Sequence, residues 1–297
     1  MSVDTVDPRE HLANRLLESS LRHSYDPLIE IDWAAPLDED LFWMPPHRSS
    51  LYGTALWDGL SHRQRVELTK HEVASAAGIG IWFETILMQM LVRQYYHQNP
   101  TSRDAQYALT ELGDECRHSV MFGRFIERTG APVYRPGDLE DRLGNLLKAT
   151  ASGPLMYAAT LLVEEVLDRF QREAAADESL QPLVRMVSRV HVVEEARHVR
   201  YARSALEYAV RDSGPAALAV TRLALGHTAL TLARRLVHPR VYAAIGIEPA
   251  AGSAAARCNP HFRQTLRWSA EKAVATLRDL GLIRGPGALL WRRSHLI

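Results

Sequence analysis

Several classes of protein are excluded by what this 297-residue chain lacks. It contains only two cysteines, Cys116 and Cys258, too few for a disulfide framework, so we expect a reducing, cytoplasmic compartment. Its 35 basic side chains are matched by 35 acidic ones, which leaves no cationic excess for binding nucleic acid. The opening residues, MSVDTVDPREHLANRL, have no apolar segment of the kind found in secretory signals, so none is expected.

Long uninterrupted apolar runs are also scarce. The two longest, 78–92 and 216–233, are broken by Glu84 and Arg222, so neither is expected to span a membrane. Almost no segment alternates apolar and polar residues, which predicts very little β-strand. These absences leave an ordinary helical globular protein that binds neither membranes nor nucleic acid.

Helix-start and helix-stop signals predict four long helices in the middle of the chain. Ser61 is a candidate N-cap, and Gly130 is a candidate helix end. The connection between the second and third helices is long, which favours a ferritin-like four-helix bundle over an up-down bundle with only short loops. The helices are predicted at about 72–97, 103–129, 155–176 and 180–211, with two more near 216–237 and 260–280.

One domain is predicted, because no low-complexity linker divides the chain. Residues 1–60 are expected to be an irregular segment that wraps the core, since their tryptophans need burial. Residues 61–240 are expected to form the helical bundle, and residues 241–297 a C-terminal helical extension.

An acid-Glu-x-Arg-His phrase occurs twice, at residues 114–118 and 194–198, on two of the predicted helices. Each copy contains Glu-x-x-His, which places a carboxylate and an imidazole on one face of a helix. Two such pairs, with one Glu from each of two other helices, form the ligand set of a two-metal site in a four-helix bundle. One Glu-x-x-His is weak evidence, but its repetition in the same context predicts metal binding.

The fourth predicted helix carries a third ligand-type side chain, His191. His191, Glu195 and His198 fall within an arc of about 60°. In a zinc protease, Glu would directly follow the first His, whereas Val192 stands here. Inward-facing carboxylates and imidazoles need a partner, which favours a metal site over a solvated polar face.

The first and third predicted helices each supply one carboxylate. Glu84 is the only charge in residues 78–92, and a lone buried carboxylate must be neutral, paired or metal-bound. On the third helix the apolar stripe favours Glu164 as the inward residue, with Glu165 as the alternative. Four carboxylates and three imidazoles suit two iron or manganese ions. The predicted ligands are Glu84, Glu115, His118, Glu164, His191, Glu195 and His198.

Charged residues beside the ligands are predicted to support them. A metal-bound histidine usually donates its other N–H to a carboxylate, and Asp114 and Glu194 directly precede the ligand Glu of each motif. Each acid would bind a histidine of the opposite helix, with Arg117 and Arg197 pairing to the acids. Ordinary surface charge is the alternative for all four.

The additional histidine, His191, and three N-terminal sequence motifs resemble the corresponding features of one known family. The motifs are YDPLIEIDW, LYGTALWDGL and HEVAS, and the family is the p-aminobenzoate N-oxygenase (AurF-like) family of non-haem di-iron oxygenases. The resemblance covers about residues 12–235 and every predicted ligand. It implies a homodimeric enzyme with two iron ions, manganese being possible. It also implies O₂ as co-substrate, an external electron donor and a small-molecule substrate, most simply an arylamine oxidised towards nitro.

Other functions are compatible with the same residues. A di-iron C-hydroxylase or desaturase would use this site on a carbon centre. A ferritin-like iron-storage or ferroxidase protein is a further alternative, although storage chains are shorter and lack the third histidine. A non-catalytic helical scaffold held by ion pairs is the last. No catalytic residue is predicted beyond the metal ligands.

Overall fold

The structure is a computed structural model that describes residues 7–297, and helices dominate this range. Residues 1–6, which belong to the predicted wrapping segment, lie outside the described residues. Within 7–297 the only β feature is an isolated bridge between Phe42 and Leu180. The predicted fold class, an all-α ferritin-like bundle with additional peripheral helices, is confirmed.

The described residues form twelve α-helices joined mostly by short connections. Two short 3₁₀ helices lie at Pro46–Arg48 and Pro239–Ile245. The α-helices are α1 Pro8–Arg22, α2 Pro27–Glu30, α3 Ala55–Asp58, α4 His62–Tyr95, α5 Arg103–Thr129, α6 Asp138–Thr150, α7 Gly153–Ala176, α8 Pro182–Arg211, α9 Pro215–Arg235, α10 Pro249–Cys258, α11 Pro260–Asp279 and α12 Gly287–Ser294.

Four long helices form the bundle, with α4 packed along α5 and α7 packed along α8. Ser61 begins α4 with a capping box, in which Ser61 and Gln64 satisfy each other's backbone N–H groups. Because of this cap, α4 begins at His62, well before residue 72 where the apolar pattern predicts it. Helix α5 ends at Gly130, whose positive φ of 69° closes the helix as predicted.

The connection between α5 and α7 contains the helix α6. This helix was not predicted, because the Pro and Gly residues before it are typical of a loop. Gly144 in the middle of α6 reads as a helix breaker. It is instead the point of closest packing, because an added Cβ would lie 2.5 Å from the Trp82 ring. The Trp82 indole also donates to Asp141 in the first turn of α6. Gly144 therefore marks a close packing contact between α6 and α4.

Residues 7–60 run across the outside of the bundle. Helix α1 packs against α5 and α8, and Trp43 and Trp57 are only 3% and 5% exposed. At the other end of the chain, α11 packs on α7 and α12 packs on α9. The division of the chain at residues 60 and 240 stays a prediction.

Two helical segments are long and apolar enough to cross a membrane by length and composition alone. They are His62–Tyr95 and Pro215–Ile245. The expectation that Glu84 and Arg222 make these segments too polar to span a membrane is therefore not met by length and composition. The apolar window of the first is 61% buried inside the protein, which is ordinary for a core helix. The window of the second is 33% buried.

A buried polar network ties the N-terminal segment to the bundle. The Ser50 backbone N–H donates to Glu72 Oε1 at 2.9 Å, and the Ser50 hydroxyl lies within hydrogen-bond distance of both Glu72 and the Tyr242 hydroxyl. Burial raises the pKa of the Glu72 carboxyl to about 7. Three distant parts of the chain therefore meet at one carboxyl group.

The substitution Glu72→Gln is expected to remove a pH dependence of stability. The folded pKa of about 7 lies above the ordinary value of 4.5, so the folded protein binds this proton more tightly than the unfolded chain. The resulting stabilisation is complete below the unfolded pKa and is lost as the pH rises through 7. Denaturant unfolding at pH 5.5 and pH 8 should show wild type losing about 2 kcal/mol more than the variant. Equal losses would contradict the raised pKa.

Candidate metal centre

The structure brings all seven predicted ligand side chains together inside the bundle. Helix α4 supplies one, α5 two, α7 one and α8 three, and each side chain is at most 4% exposed. Their helical spacing turns each set inward, because residues three or four apart share a helix face. Their convergence is an observation, while their role as ligands stays a prediction.

Glu195 lies at the centre of the cluster. Its Oε1 is 3.3 Å from His118 Nδ1, 3.4 Å from His191 Nε2 and 3.1 Å from His198 Nδ1. One carboxylate oxygen of Glu195 therefore faces three imidazoles from two helices.

Two overlapping groups of ligand-type atoms lie around this centre, and within each group the atoms lie within 4.8 Å of one another. In one, Glu115 lies beside His198, with Oε1 3.0 Å from the imidazole Nδ1. In the other, Glu84 Oε1 is 3.8 Å from His191 Nε2. The first group is Glu115, His118, Glu195 and His198, and the second is Glu84, His118 and His191.

The two adjacent glutamates of α7 face different surroundings. The Glu164 carboxyl faces the cluster, where burial and repulsion from Glu195 raise its pKa well above the usual value. Glu165 instead binds Arg203 of α8. The apolar stripe that favours Glu164 in the sequence therefore corresponds to the observed orientation.

The residues predicted to support the ligands contact histidines of the opposite helix. Glu194 Oε2 is 2.8 Å from His118 Nε2, and Asp114 Oδ2 is 3.2 Å from His198 Nε2. These contacts use the imidazole nitrogen that faces away from the cluster and leave Nδ1 facing it. Each ring is thereby held in one orientation and one tautomer.

Arg117 and Arg197 form the next layer. Arg197 donates to Asp114 Oδ2 at 3.1 Å, and Arg117 pairs with Asp114 and donates to Ser24 at 2.9 Å. Arg197 is 4% exposed, so the alternative of ordinary surface charge does not describe it.

Residues 23–25 form a short strap over this layer. The Tyr25 N–H donates to Glu194 Oε1 at 3.0 Å, and Arg197 donates to the His23 carbonyl at 2.8 Å. The N-terminal segment thus contacts the groups that orient the ligands.

Three supporting residues were not predicted. Gln171 Oε1 is 2.6 Å from His191 Nδ1, and the Ser119 hydroxyl donates to Glu84 Oε2 at 2.7 Å. Buried Glu111 has its pKa raised to about 8, chiefly by burial. Glu111 lies one turn before Glu115, a spacing that could have indicated it. The Gln171 contact joins two helices and has no local signal.

Several buried atoms of the cluster form no hydrogen bond, although some of them lie within 3.0–3.4 Å of a neighbouring ligand-type side chain. They are both carboxylate oxygens of Glu115, His118 Nδ1, His191 Nε2 and Glu195 Oε2. Buried polar atoms are almost always paired, so such a concentration indicates a missing partner. Carboxylate oxygens and imidazole nitrogens are the donor set of iron and manganese, so the residues fit a two-metal centre.

Charge points to the same conclusion. Burial and repulsion between carboxylates raise the pKa values of Glu84 and Glu164. Burial opposes the charged form of Glu195, yet the nearby imidazoles, first His198, hold its pKa well below the usual value. Burial likewise opposes a charged His118, but contacts with carboxylates, first Glu115, raise its pKa. Bound protons thus neutralise part of the negative charge of the four carboxylates. Two divalent cations would neutralise all of it.

Glu194→Gln and Asp114→Asn are each expected to weaken metal binding about 10- to 100-fold, because each removes the carboxylate that orients a ligand imidazole. Titration of Fe(II) or Mn(II) against a competing chelator measures this. Glu165→Gln is the matched control, since its carboxyl binds Arg203 outside the cluster. Unchanged affinity in both variants would contradict the orienting role.

Comparison with known proteins identifies the family, and it does so through sequence. Solved structures of mutants of an R2-like ligand-binding oxidase with a reconstituted Mn/Fe cofactor cover 98% of this chain and 92% or 91% of theirs. At 14% identity and a TM-score of 0.44, this likeness says nothing about activity.

Sequence relatives are closer. The uncharacterized proteins Rv0885 of Mycobacterium tuberculosis and Mb0909 of Mycobacterium bovis are 31% identical over 217 residues. The match covers 69% of this chain and 63% of the length of these relatives. The model of the family described as P-aminobenzoate N-oxygenase AurF matches residues 6–281. The chain belongs to the p-aminobenzoate N-oxygenase AurF family.

Proposed function

We propose that this chain is a non-haem di-iron oxygenase that uses O₂ to oxidise a small organic molecule. The observation that supports the proposal is the buried cluster of carboxylates and imidazoles. Five of its oxygen and nitrogen atoms, all of a kind that can bind a metal, form no hydrogen bond. The proposed metals are iron ions, with manganese as the alternative, because both prefer this mixture of oxygen and nitrogen ligands.

The residues of the chain hold and orient the metals. When bound, a reduced iron pair supplies electrons for the activation of O₂. Glu195 faces all three imidazoles and would bridge, while Glu194 and Asp114 fix two of the rings. Complete burial of the cluster excludes bulk water, which protects a reactive centre from side reactions.

The finer proposal is N-oxygenation of an arylamine, which family membership supports. In the first step the amine, O₂, two electrons and two protons give the hydroxylamine and water. An external donor of two electrons is therefore required for this step. A second O₂ then oxidises the hydroxylamine, through nitroso, to nitro with release of water and without further external electrons.

Assembly and location are proposed on the same basis. We propose a homodimer in the cytoplasm, without bound nucleic acid or membrane. The family resemblance supports the dimer, and the shortage of cysteine supports the reducing compartment.

Metal analysis tests the centre directly. Protein produced with ample iron should contain two metal ions per chain, and His191→Ala or His198→Ala should abolish stoichiometric binding because each removes a central imidazole. His97→Ala, an exposed histidine, is the control. Thousands of ions per assembly would favour storage instead, and unchanged metal content in both variants would favour a structural ion-pair network.

Product analysis tests the reaction. The chemically reduced iron form, mixed with O₂ and aniline, should yield phenylhydroxylamine or more oxidised nitrogen products, detected by mass spectrometry with ¹⁸O₂. Label on a ring carbon would favour the C-hydroxylase alternative. Absence of label across a panel of arylamines would contradict N-oxygenation while leaving the metal prediction separately testable.

A further inference from the structure

An apolar cavity of about 100 Å³ lies beside the metal centre. It is lined by α4, α5, α7, α8, residues 43–48 and parts of the C-terminal elements, and it is partly open. Gly80 and Phe122 line it one turn from Glu84 and His118, and Gln171, which binds His191, lines it as well. One end of the cavity therefore adjoins the proposed metal ligands.

The size and lining of this cavity limit what it can hold. A closed cavity of about 150 Å³ accepts benzene, so this smaller but partly open cavity holds at most a single ring. Most of its wall is aliphatic or aromatic, including Phe125, Leu167 and Phe170. Such a wall favours a compact apolar molecule.

Two charged side chains line the cavity, and one of them is already neutralised. Arg48 donates two hydrogen bonds to Glu173, at 2.7 and 3.1 Å, and its guanidinium lies 3.5 Å from the Trp268 ring centre. A substrate carboxylate would have to displace Glu173 or remain without a counter-charge, and an unpaired buried charge is very costly.

The other charged side chain, Glu72, has an unused oxygen. Glu72 is 2% exposed, and its Oε1 accepts from Ser50. Its Oε2 is buried without a hydrogen-bond partner. Ser49 lies close enough to influence the carboxyl, but the Ser49 hydroxyl forms no hydrogen bond either. Glu72 lies eight residues before Gly80 on α4, about 12 Å along the helix axis.

We propose that Glu72 determines the substrate specificity of this cavity. Its free Oε2 accepts a hydrogen bond from an uncharged hydroxyl or N–H group at the end of the substrate remote from the metals. The substrate class is thus a single-ring arylamine that bears a neutral hydrogen-bond donor and no carboxylate. This assignment rests on the proposed function, because the reacting amine is placed at the metal end.

Three probes of similar shape test the assignment by anaerobic calorimetric titration of the full-length, metal-loaded protein. The titrations are made at pH 8, above the Glu72 pKa of about 7, so that Oε2 is an acceptor. They are 4-aminophenol, 4-methylaniline, which lacks the remote donor, and 4-aminobenzoate, which carries a charge there. We expect 4-aminophenol to bind at least about tenfold more tightly than either of the others, because only it pairs the buried oxygen. Equal or tighter binding of 4-methylaniline or 4-aminobenzoate would overturn the assignment.

Variants locate the effect. Glu72→Leu should abolish the preference for 4-aminophenol over 4-methylaniline, and Glu72→Gln, which keeps an amide oxygen, should retain part of it. Glu165→Gln, a buried glutamate outside the cavity, should retain all of it. Ala76→Leu, which fills the cavity, should weaken all three probes. Full preference in Glu72→Leu, or unchanged binding in Ala76→Leu, would refute the location.

The two proposals fail separately. Binding is measured without O₂ or turnover, so a protein that lacks two metals yet keeps the probe preference would overturn the oxygenase and not the cavity assignment. Should Glu72→Leu fail to fold, the wild-type probe series still decides.

Discussion

The structure depends on one electrostatic constraint, the placement of four carboxylates in a space that water does not enter. Uncompensated charges there would cost more than the packing of the bundle could offset. Three imidazoles facing one oxygen of Glu195 provide part of the compensation. Cations would complete it, so metal binding and bundle stability are expected to be two aspects of one equilibrium.

Around this centre, the acids limit the rotation of the ligand imidazoles, and the arginines in turn hold the acids in place. Glu194 and Asp114 hold the rings of His118 and His198, and arginines hold the acids. Because the imidazoles cannot rotate freely, the nitrogen that faces the cluster is determined before any metal arrives. The arrangement lowers the conformational entropy lost on binding.

Much of the fold and of the site was predictable from the sequence, because helices repeat every 3.6 residues and the ligands occur at matching intervals. The same period favoured Glu164 over Glu165 on α7. Contacts between helices were not predictable in this way. Gln171 contacts His191, twenty residues away in the sequence, and Gly144 of α6 packs closely against Trp82 of α4. Such contacts depend on three-dimensional packing and not on any local pattern.

The strap at residues 23–25 has a consequence for biogenesis. Its partners, Glu194 and Arg197, lie 169 and 174 positions later along the chain than the strap residues they bind. During translation the N-terminal segment emerges first, yet it finds its contacts only after α8 has left the ribosome. The centre therefore closes late, only after α8 has been synthesised, and a nascent chain cannot capture metal in this geometry before then.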